Sequence, residues 1–355
     1  MKEDKVTEES FLKRLQILAP GTSLYAGLEN ILRARTGALI VIGDSEEVLK
    51  IVNGGFKINA EFHPSALYEL AKMDGAIVLS SDAKEILFAN THLSPDPLIP
   101  SSETGARHRT AERVARQTGE LVISISQRRN VISVYQANLK YILRDISVVL
   151  AKANQALQTL EKYKSVLEQA LINLSALEFE DLVTLSDVVT VVQRAQMVAH
   201  IAGEIERYVC ELGTEGRLVS MQLEELMVDI ENEGQLVVKD YADKEDMDLI
   251  WPEMTRWSSE DLLDLNMISR ALGHGGIGNL DNSLTPRGYR ILSKIPRLPQ
   301  AVIDNMVQRF GTLTEVLAAS IEELDEVEGI GEVRARVIKE GLRRLREQVL
   351  LDRHV

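Results

Sequence analysis

The sequence predicts a multidomain α+β protein. Its N-terminal part is expected to be a mixed α/β domain with a central sheet, its middle an all-α helical spacer, and its C-terminal part an all-α domain of helical hairpins. Short β-branched apolar runs alternate with helical patterns in residues 1–145, strand patterns are absent from 146–285, and a weak internal repeat follows in 286–355. The length agrees, because 355 residues at about 150 residues per domain favour two or three domains.

Composition and charge exclude several classes of protein. A hydrophobic fraction of 45% with 26% charged residues is ordinary globular composition, so a disordered or fibrous chain is not expected. The net charge of −14 argues against coating nucleic acid by bulk electrostatics, so any DNA contact must be local. No run approaches the roughly 20 apolar residues that cross a bilayer. The single cysteine, Cys210, cannot form an internal disulfide, and we expect a cytoplasmic protein without a membrane partner.

The first 145 residues carry the signals of a mixed α/β domain. Apolar, β-branched runs bounded by Gly, Asp or Asn predict buried strands over residues 38–43, 76–80 and 121–126. An alternating run over residues 130–135 predicts the second strand of a hairpin. Helices are predicted over residues 63–73 and 107–117. One central sheet with helices around it is therefore expected.

Residues 146–285 carry helical signals only. Apolar residues recur at three- and four-residue spacing, as in Val188, Val192, Ala195 and Val198. Such stripes are typical of helices that pack on one another while their charged faces contact solvent. This segment is interpreted as a helical spacer or bundle.

The C-terminal segment contains a repeated helical hairpin. Leu292, Ile295 and Leu298 match Leu324, Val327 and Ile330 at one constant offset, and each triplet lies between two helical patterns. In the second copy Gly329 and Gly331 flank Ile330, which permits a tight turn that exposes the amides of the next helix to a phosphate. Arg334 and further cations follow on that helix. In the first copy Arg297 and Pro299 take the glycine positions, so that copy is expected to serve packing.

Asp74, Gly75 and Ala76 mark the first candidate site. They lie where a helix ends and a strand starts, so Asp74 is expected in a turn at the edge of the sheet. A carboxylate there could bind Mg²⁺ or Mn²⁺ that also contacts phosphate, while Gly75 leaves room for a ligand near the backbone. The competing interpretation is an ordinary turn, because Asp-Gly is a common turn dipeptide.

Arg107, His108 and Arg109 form a second candidate site, here called the basic triplet. They follow Gly105 and Ala106 at the start of a predicted helix. Cations at a helix start oppose the helix dipole, and an anion bound there would explain their position. The competing interpretation is a solvated basic turn.

The two candidate sites, taken with their spacing and flanking strands, resemble the diadenylate cyclase family. Their order ahead of a helical spacer and hairpins resembles the branch of that family that scans DNA integrity and ends in a helix-hairpin-helix module. The resemblance covers essentially the whole chain. One departure is Ala106, where many members have Thr, so a side-chain hydroxyl contact is missing there while a backbone contact remains.

The resemblance implies an enzyme that condenses two ATP molecules into cyclic di-AMP and two pyrophosphates. It implies that Asp74 holds Mg²⁺ or Mn²⁺ and that the basic triplet anchors the polyphosphate and stabilises the departing pyrophosphate. His108 could act as a general base, but flanking arginines would depress its pKa, and we favour a binding role. The other residues implied to contact the nucleotide are Gly75, Ala76, Leu93, Gly105, Ala106, Thr110 and Ser126.

The resemblance also implies partners. Gly329, Ile330, Gly331 and Arg334 would contact DNA, expected to be branched or a recombination intermediate, and DNA binding would regulate the cyclase. Two cyclase domains would face each other in a homo-oligomer, expected to be an octamer, which is nucleoid-associated when bound to DNA.

Two other functions remain open from the residues. The chain could be a non-catalytic DNA-binding scaffold that senses ATP. It could also be an accessory subunit of a DNA-repair nuclease or helicase, although it offers neither a carboxylate cluster of the two-metal type nor a Walker loop.

Overall fold

The computed structural model describes residues 14–228, 230, 232–243, 247–275 and 280–352. Within these residues the chain forms two compact units, one in the ranges 14–154 and 206–220 and the other in the ranges 155–205 and 221–352. The predicted fold class is confirmed, since a mixed α/β sheet domain is followed by a helical linker and an all-helical C-terminal region. The domain boundaries after residues 145 and 285 remain predictions from the sequence.

Among its described residues, the first unit contains eight strands and four α-helices ahead of the long linker helix. The strands are β1 (Ala38–Ile42), β2 (Val52–Asn53), β3 (Phe56–Glu61), β4 (Ala76–Leu79), β5 (Glu85–Leu93), β6 (Leu121–Ser126), β7 (Val131–Gln136) and β8 (Leu139–Ile142). The helices are α1 (Ser23–Arg33), α2 (Glu46–Ile51), α3 (Pro64–Leu70) and α4 (Ala106–Thr118). Among the described residues, the four strands predicted from apolar runs all form, and β2, β3, β5 and β8 are additional.

The strands make one mixed sheet in the order β2-β5-β4-β1-β6-β7-β8, with β3 paired to β5. Strands β1 and β4 are parallel, and all the other pairs are antiparallel. Strand β4 therefore lies inside the sheet, between β1 and β5. The turn at Asp74 is thus at the end of an interior strand and not beside an edge strand, which corrects the expectation from the sequence.

Helices cover both faces of this sheet. Ile40 and Ile42 of β1 pack with Leu28 and Ile31 of α1 and with Leu67 of α3. The other face is packed by the strand residues Leu39, Val41, Val78 and Val122 together with Val48 and Ile51 of α2 and Ala111, Val114 and Ala115 of α4. Because successive residues of a strand point to opposite faces, strands buried on both sides are apolar throughout. This explains why β1, β4 and β6 are so visible in the sequence.

The remainder of the described chain is helical. The linker helices are α5 (Ile146–Glu180), α6 (Leu185–Leu212), α7 (Arg217–Met227), α8 (Glu233–Tyr241), α9 (Met247–Met254) and α10 (Leu265–Leu272). The C-terminal helices are α11 (Tyr289–Ser293), α12 (Gln300–Phe310), α13 (Leu313–Ala318), α14 (Ile321–Asp325) and α15 (Glu332–Asp352). None of the described helices combines the length and apolar character needed to cross a bilayer.

The C-terminal helices contain two matching hairpins. The first joins α11 to α12 and the second joins α14 to α15. In the first, the amide of Leu298 donates to the carbonyl of Ile295 (3.3 Å), and in the second the amide of Ile330 donates to Val327 (3.0 Å). Ile295, Val327 and Ile330 are buried in the same apolar cluster. The internal repeat in the sequence therefore corresponds to two turns with the same hydrogen bonds.

A buried ionic cluster joins α11 to the linker helices inside the second unit. The fully buried Arg290 donates to Glu178 of α5 (2.5 Å) and to the hydroxyl of Ser175 (3.0 Å). The carboxylate of Asp240, also buried, accepts the backbone amides of Gly288 (2.7 Å), Tyr289 (2.6 Å) and Arg290 (3.0 Å). Asp240 thus satisfies the free amides at the start of α11, which is where a helix favours a negative charge.

Candidate functional site

The register of the sheet brings the candidate nucleotide residues to one end. Ile40 of β1 lies opposite Ile77 of β4 and Ile123 of β6. Because β6 is antiparallel to β1, the chain leaves β6 at the end where β4 begins. If this register is extended, Asp74 before β4 lies level with Ser126 at the end of β6. Strand β1 lies between them, so the two residues are about 10 Å apart given the usual strand spacing.

Leu93 comes to the same end through β5. Thr91 lies opposite Ala76, and β5 runs antiparallel to β4, so the next residues of β5 extend beside Gly75 and Asp74. Leu93 is buried and pairs with Val52 of β2. The structure thus places Asp74, Gly75, Ala76, Leu93 and Ser126 at one end of the sheet.

Asp74 and Gly75 form an exposed bend directly before β4. Gly75 has φ +102°, and a Cβ on it would lie 2.8 Å from the carbonyl carbon of Asn90. Glycine is needed there because both the backbone angle and the close approach exclude a side chain. Ala76 then enters the sheet, and its carbonyl accepts the hydroxyl of Thr91 (3.1 Å).

The basic triplet occupies the first turn of α4. Gly105 is the residue before the helix and offers no side chain to its free amides, and the first turn contains no acid. The backbone amide of Arg109 donates to the carbonyl of Gly105 (2.9 Å), which closes the first helical turn. Uncapped amides and three basic side chains at a 13-residue helix start form an environment suited to an anion.

Two members of the triplet are held by neighbouring backbone. The guanidinium of Arg107 packs on Gly37, just before β1, where any Cβ would collide with it. Arg109 donates to the carbonyls of Glu103 (3.4 Å) and Thr104 (3.2 Å), so it fastens the loop ahead of the helix. Gly37 is a residue that the sequence did not single out, because its importance depends on a contact with Arg107.

His108 points toward the sheet. Its Nδ1 lies 3.0 Å from the hydroxyl of the buried Ser124 on β6, and its ring meets that of Tyr135 edge-on at 6.5 Å. Burial lowers the pKa of His108, and Arg129, Lys140 and Arg107 lower it further, while Glu103 opposes them. The expected direction was right, but burial contributes more than the flanking arginines. The imidazole therefore stays neutral to a lower pH than an ordinary histidine.

The remaining predicted residues lie around the helix start. Gly105 and Ala106 are exposed, with open space at the position of a Gly105 Cβ, and Thr110 is half-buried one turn into α4. The hydroxyl of Ser126 accepts the backbone amide of Arg129 (3.2 Å), which shapes the β6–β7 turn.

A network of side chains beside the basic triplet could not be recognised from local sequence patterns. The Glu103 carboxylate accepts the hydroxyl of Tyr135 on β7 (2.9 Å) and pairs with Lys140 on β8. Tyr135 and Lys140 lie opposite each other on β7 and β8, whereas Glu103 lies 32 residues before Tyr135 in the loop ahead of α4. A knowledge of strand register was needed to find them.

A divalent metal would have to be shared with a nucleotide. Within the described part of the chain, no three His, Cys, Asp or Glu side chains are grouped to hold a metal by themselves. Mg²⁺ in nucleotide sites commonly binds one or two carboxylates together with substrate phosphates and water. The exposed Asp74 carboxylate, at the same end of the sheet as the basic triplet, fits such an arrangement.

The second helical hairpin presents the predicted DNA-contacting residues. Gly329 has φ +84°, Ile330 is buried, and a Cβ on Gly331 would meet no atom within 4 Å. Arg334 donates to the carbonyl of Gly329, so the turn and helix α15 are fastened together. Open space above Gly331 leaves the helix start accessible to a phosphate.

The first hairpin has the same shape without glycine. Arg297, at the position equivalent to Gly329, has φ +62°, and Pro299 replaces Gly331. Residues of both hairpins line one cleft of about 560 Å³, among them Arg297, Leu298, Gly331 and Arg334.

Comparisons with known proteins agree with this organisation. The family model described as DisA bacterial checkpoint controller nucleotide-binding matches residues 25–139, and the model described as its linker region matches residues 143–280. Three relatives named DNA integrity scanning protein DisA come from Clostridium kluyveri, Symbiobacterium thermophilum and Carboxydothermus hydrogenoformans. The Clostridium relative is 59% identical over 98% of this chain and 99% of its own length. The Symbiobacterium relative is 62% identical over 97% of this chain and 98% of its own length. The Carboxydothermus relative is 60% identical over 96% of this chain and 98% of its own length. The chain therefore belongs to the DisA family of bacterial checkpoint controllers.

Proposed function

We propose that the chain is a diadenylate cyclase that also binds DNA. Two ATP molecules would be joined into cyclic di-AMP, each 3′-hydroxyl attacking the α-phosphate of the other nucleotide. The bond between the α- and β-phosphates breaks in each, so two pyrophosphates leave. The observation that carries the proposal is the convergence of the Asp74 turn and the basic triplet at one end of the sheet.

The residues at this end have distinct roles in the proposal. Asp74 would hold Mg²⁺ or Mn²⁺, which when bound neutralises phosphate charge and lowers the pKa of a coordinated hydroxyl. Arg107 and His108 would bind the polyphosphate together with the amides of α4, and Arg109 would both bind it and keep the preceding loop in place. Gly75 and Leu93 would line the adenosine side, with Ser126 donating to a phosphate. Positioning supplies most of the catalysis, because phosphoryl transfer needs little covalent help from protein.

The DNA-binding role is assigned to the second hairpin. Its contacts would come from the amides at Gly329, Ile330 and Gly331 and from Arg334. Many cations of α15 are paired with acids of the same helix, such as Arg336 with Glu332. Binding would therefore depend on a few local phosphate contacts, with branched DNA as the expected ligand and no sequence preference.

Assembly follows from the reaction. Each cyclase domain holds one ATP, so two domains must face each other for both bonds to form. We propose a homo-oligomer, an octamer, in which such pairs are present and DNA occupancy regulates the cyclase. The relatives named for DNA integrity scanning support this link between DNA and nucleotide chemistry.

The activity is tested with α-labelled ATP, Mg²⁺ and the purified full chain. Wild type should release pyrophosphate and a product that contains two adenosines. Asp74→Asn should abolish product, since the amide loses the charge that holds the metal. Asp281→Asn, the same change at an exposed position in the linker, is the matched control and should be as active as wild type.

Three outcomes separate the hypotheses. Product from wild type but not from Asp74→Asn supports both the activity and the metal assignment. Product from both would contradict the role of Asp74. Retention of ATP by wild type without any product would overturn the cyclase and support an ATP-sensing scaffold.

A further inference from the structure

A buried carboxylate stands directly beside the basic triplet. The Glu103 side chain is 8% exposed, and it bonds to the Tyr135 hydroxyl at 2.9 Å and to the ammonium of Lys140. Burial raises the pKa of this carboxyl, but the bonds from Lys140 and Tyr135 outweigh burial and lower it overall. Glu103 is therefore ionised near neutral pH and carries a fixed negative charge.

The loop of Glu103 is fastened at several points. The preceding residues Ser101 and Ser102 bond to the buried Glu112 of α4, with the Ser102 amide 3.0 Å from its carboxylate. The carbonyl of Glu103 itself accepts the guanidinium of Arg109. The loop is thus tied to α4 on one side and, through the Glu103 carboxylate, to β7 and β8 on the other.

Tyr135 connects this carboxylate to His108. Its hydroxyl donates to Glu103 while the edge of its ring meets the His108 ring at 88°. Tyr135 is 1% exposed, so its position is fixed by packing. A change in the charge of Glu103 would change the electrostatic potential at His108, because charges act strongly at a partly buried site. It would also change the hydrogen bond that holds Tyr135 against His108.

We propose that Glu103 is a positioning residue of the triphosphate site. It ties the β7–β8 hairpin to the loop that leads into α4, and its negative charge allows His108 to bind phosphate as an imidazolium ion. This role rests on the proposed function for the substrate class, an adenosine triphosphate, but its test measures binding and not catalysis.

The charged groups around His108 come from every neighbouring element. Arg107 belongs to α4 itself, Glu103 to the preceding loop, Arg129 to the β6–β7 turn and Lys140 to β8. The polar neighbours are Ser124 of β6 and Tyr135 of β7. Among the charged groups with the largest effects on the pKa of His108, Glu103 raises it, and the cations Arg129, Lys140 and Arg107 lower it.

Two substitutions should shift the protonation of His108 in opposite directions. Glu103→Gln keeps the shape of the side chain but removes its charge, so binding that requires the imidazolium should weaken at a lower pH than in wild type. Lys140→Met removes a cation and leaves Glu103 ionised, so the same loss should move to a higher pH. Each shift should be up to about one pH unit, as expected when one nearby charge is removed.

The probe is anthraniloyl-ATP with Mg²⁺, and its fluorescence gives the Kd as a function of pH for the full chain. Protonation of the probe is common to all variants, so differences between their profiles report on the protein. His108→Gln should remove the step assigned to His108. Glu47→Gln, the same change at an exposed carboxylate of α2, should leave the profile of wild type.

Opposite shifts for Glu103→Gln and Lys140→Met would support the proposal, since a merely structural loss would weaken binding in both variants at every pH. Shifts in one direction, or a Glu103→Gln profile equal to that of Glu47→Gln, would overturn it. Should Glu103→Gln fail to fold, an unshifted Lys140→Met profile would overturn it alone. Product formation by wild type is measured separately, so failure of the cyclase is distinguishable from failure of this role.

Discussion

Gly75 shows how much of the site depends on single residues. Its left-handed backbone, with φ +102°, turns the chain from the Asp74 bend into β4, and a neighbouring strand passes too close for a Cβ. Gly37 serves a different purpose, because its missing side chain leaves space for the guanidinium of Arg107. One glycine is required by the path of the backbone and the other by a neighbouring side chain.

The sequence could identify residues of the site but not their partners. Asp74 and the basic triplet are predicted to belong to the site from residue type and position at element ends. The partners of His108 and Glu103 are not, because Ser124 and Tyr135 come from strands that read as ordinary core. Such pairs depend on which strands are neighbours, and local patterns do not contain that information.

Arg290 allows a prediction about stability. Arg290→Met leaves Glu178 and Asp240 buried without their cation, which should destabilise the second unit by about 3–5 kcal/mol. The double variant with Glu178→Met should recover most of this loss, because the remaining Asp240 still accepts three amides. Urea unfolding followed by tryptophan fluorescence measures it, since Trp251 and Trp257 both lie in this unit.

The same cluster has a pH signature. Burial and the nearby Glu178 raise the pKa of Asp240 above its ordinary value of 3.8, so the folded unit holds a proton that the unfolded chain releases. This contribution to stability is present at low pH and is lost as the pH rises through the raised pKa. Arg290 lowers the pKa of Asp240, so Arg290→Met should raise that pKa further and the loss of stability should continue to a higher pH. An equal destabilisation at every pH would contradict this account of the cluster.

Among the elements, the strands with two buried faces were predictable and the others were not. β3 has no buried stripe, and β5 begins with Glu85, carries a left-handed Asn90 and pairs with β4 through register shifts. Neither gives a clean alternation, so the hydrophobic pattern was weak. Helix α4 was placed to within one residue at each end, because Gly105 and Gly119 mark its ends.

The two glycines of the second hairpin should respond differently to substitution. A Cβ on Gly331 would meet no atom within 4 Å and the backbone there is not left-handed, so Gly331→Val should leave the thermal midpoint unchanged. It would cover the amides at the start of α15 and lower the affinity for branched DNA by about ten- to a hundredfold, equivalent to one charge-assisted hydrogen bond. Basal cyclase activity should be spared.

Gly329→Val is the matched comparison. A β-branched residue at φ +84° costs about 1–3 kcal/mol, and its Cβ would lie 3.2 Å from Val302, so the thermal midpoint should fall as well. Fluorescence anisotropy with a labelled four-way junction and thermal unfolding separate the two variants. Equal loss of folding and DNA affinity in both would mean that Gly331 serves folding and not phosphate access.

At the scale of the whole molecule, the reaction predicts cooperation between protomers. If both bonds form between facing domains, a pair with one Asp74→Asn domain yields no product. Oligomers assembled from equal amounts of wild type and this variant should then keep about a quarter of the activity. Co-expression with two affinity tags gives samples of known composition.

Mixing with Gly331→Val provides the control, because this variant keeps an intact cyclase site and activity should stay at the wild-type level. A linear fall with the fraction of Asp74→Asn would show that each domain works alone.

The order of cyclase domain, linker and hairpins was visible in the sequence because each has its own periodicity. The proposed pairing of domains could not be read from such periodicity, since it would depend on surfaces and not on spacing.

The two helical hairpins keep the same turn although one has glycines and the other has arginine and proline. The shape of the turn must then be enforced by the apolar residues packed beneath it, and glycine is not required to make it. What the glycines of the second copy provide is clearance, an uncovered strip of main chain over which a bulky anionic polymer can pass. Larger residues at the glycine positions, as in the first copy, would leave a hairpin that folds normally but offers less room for such contact.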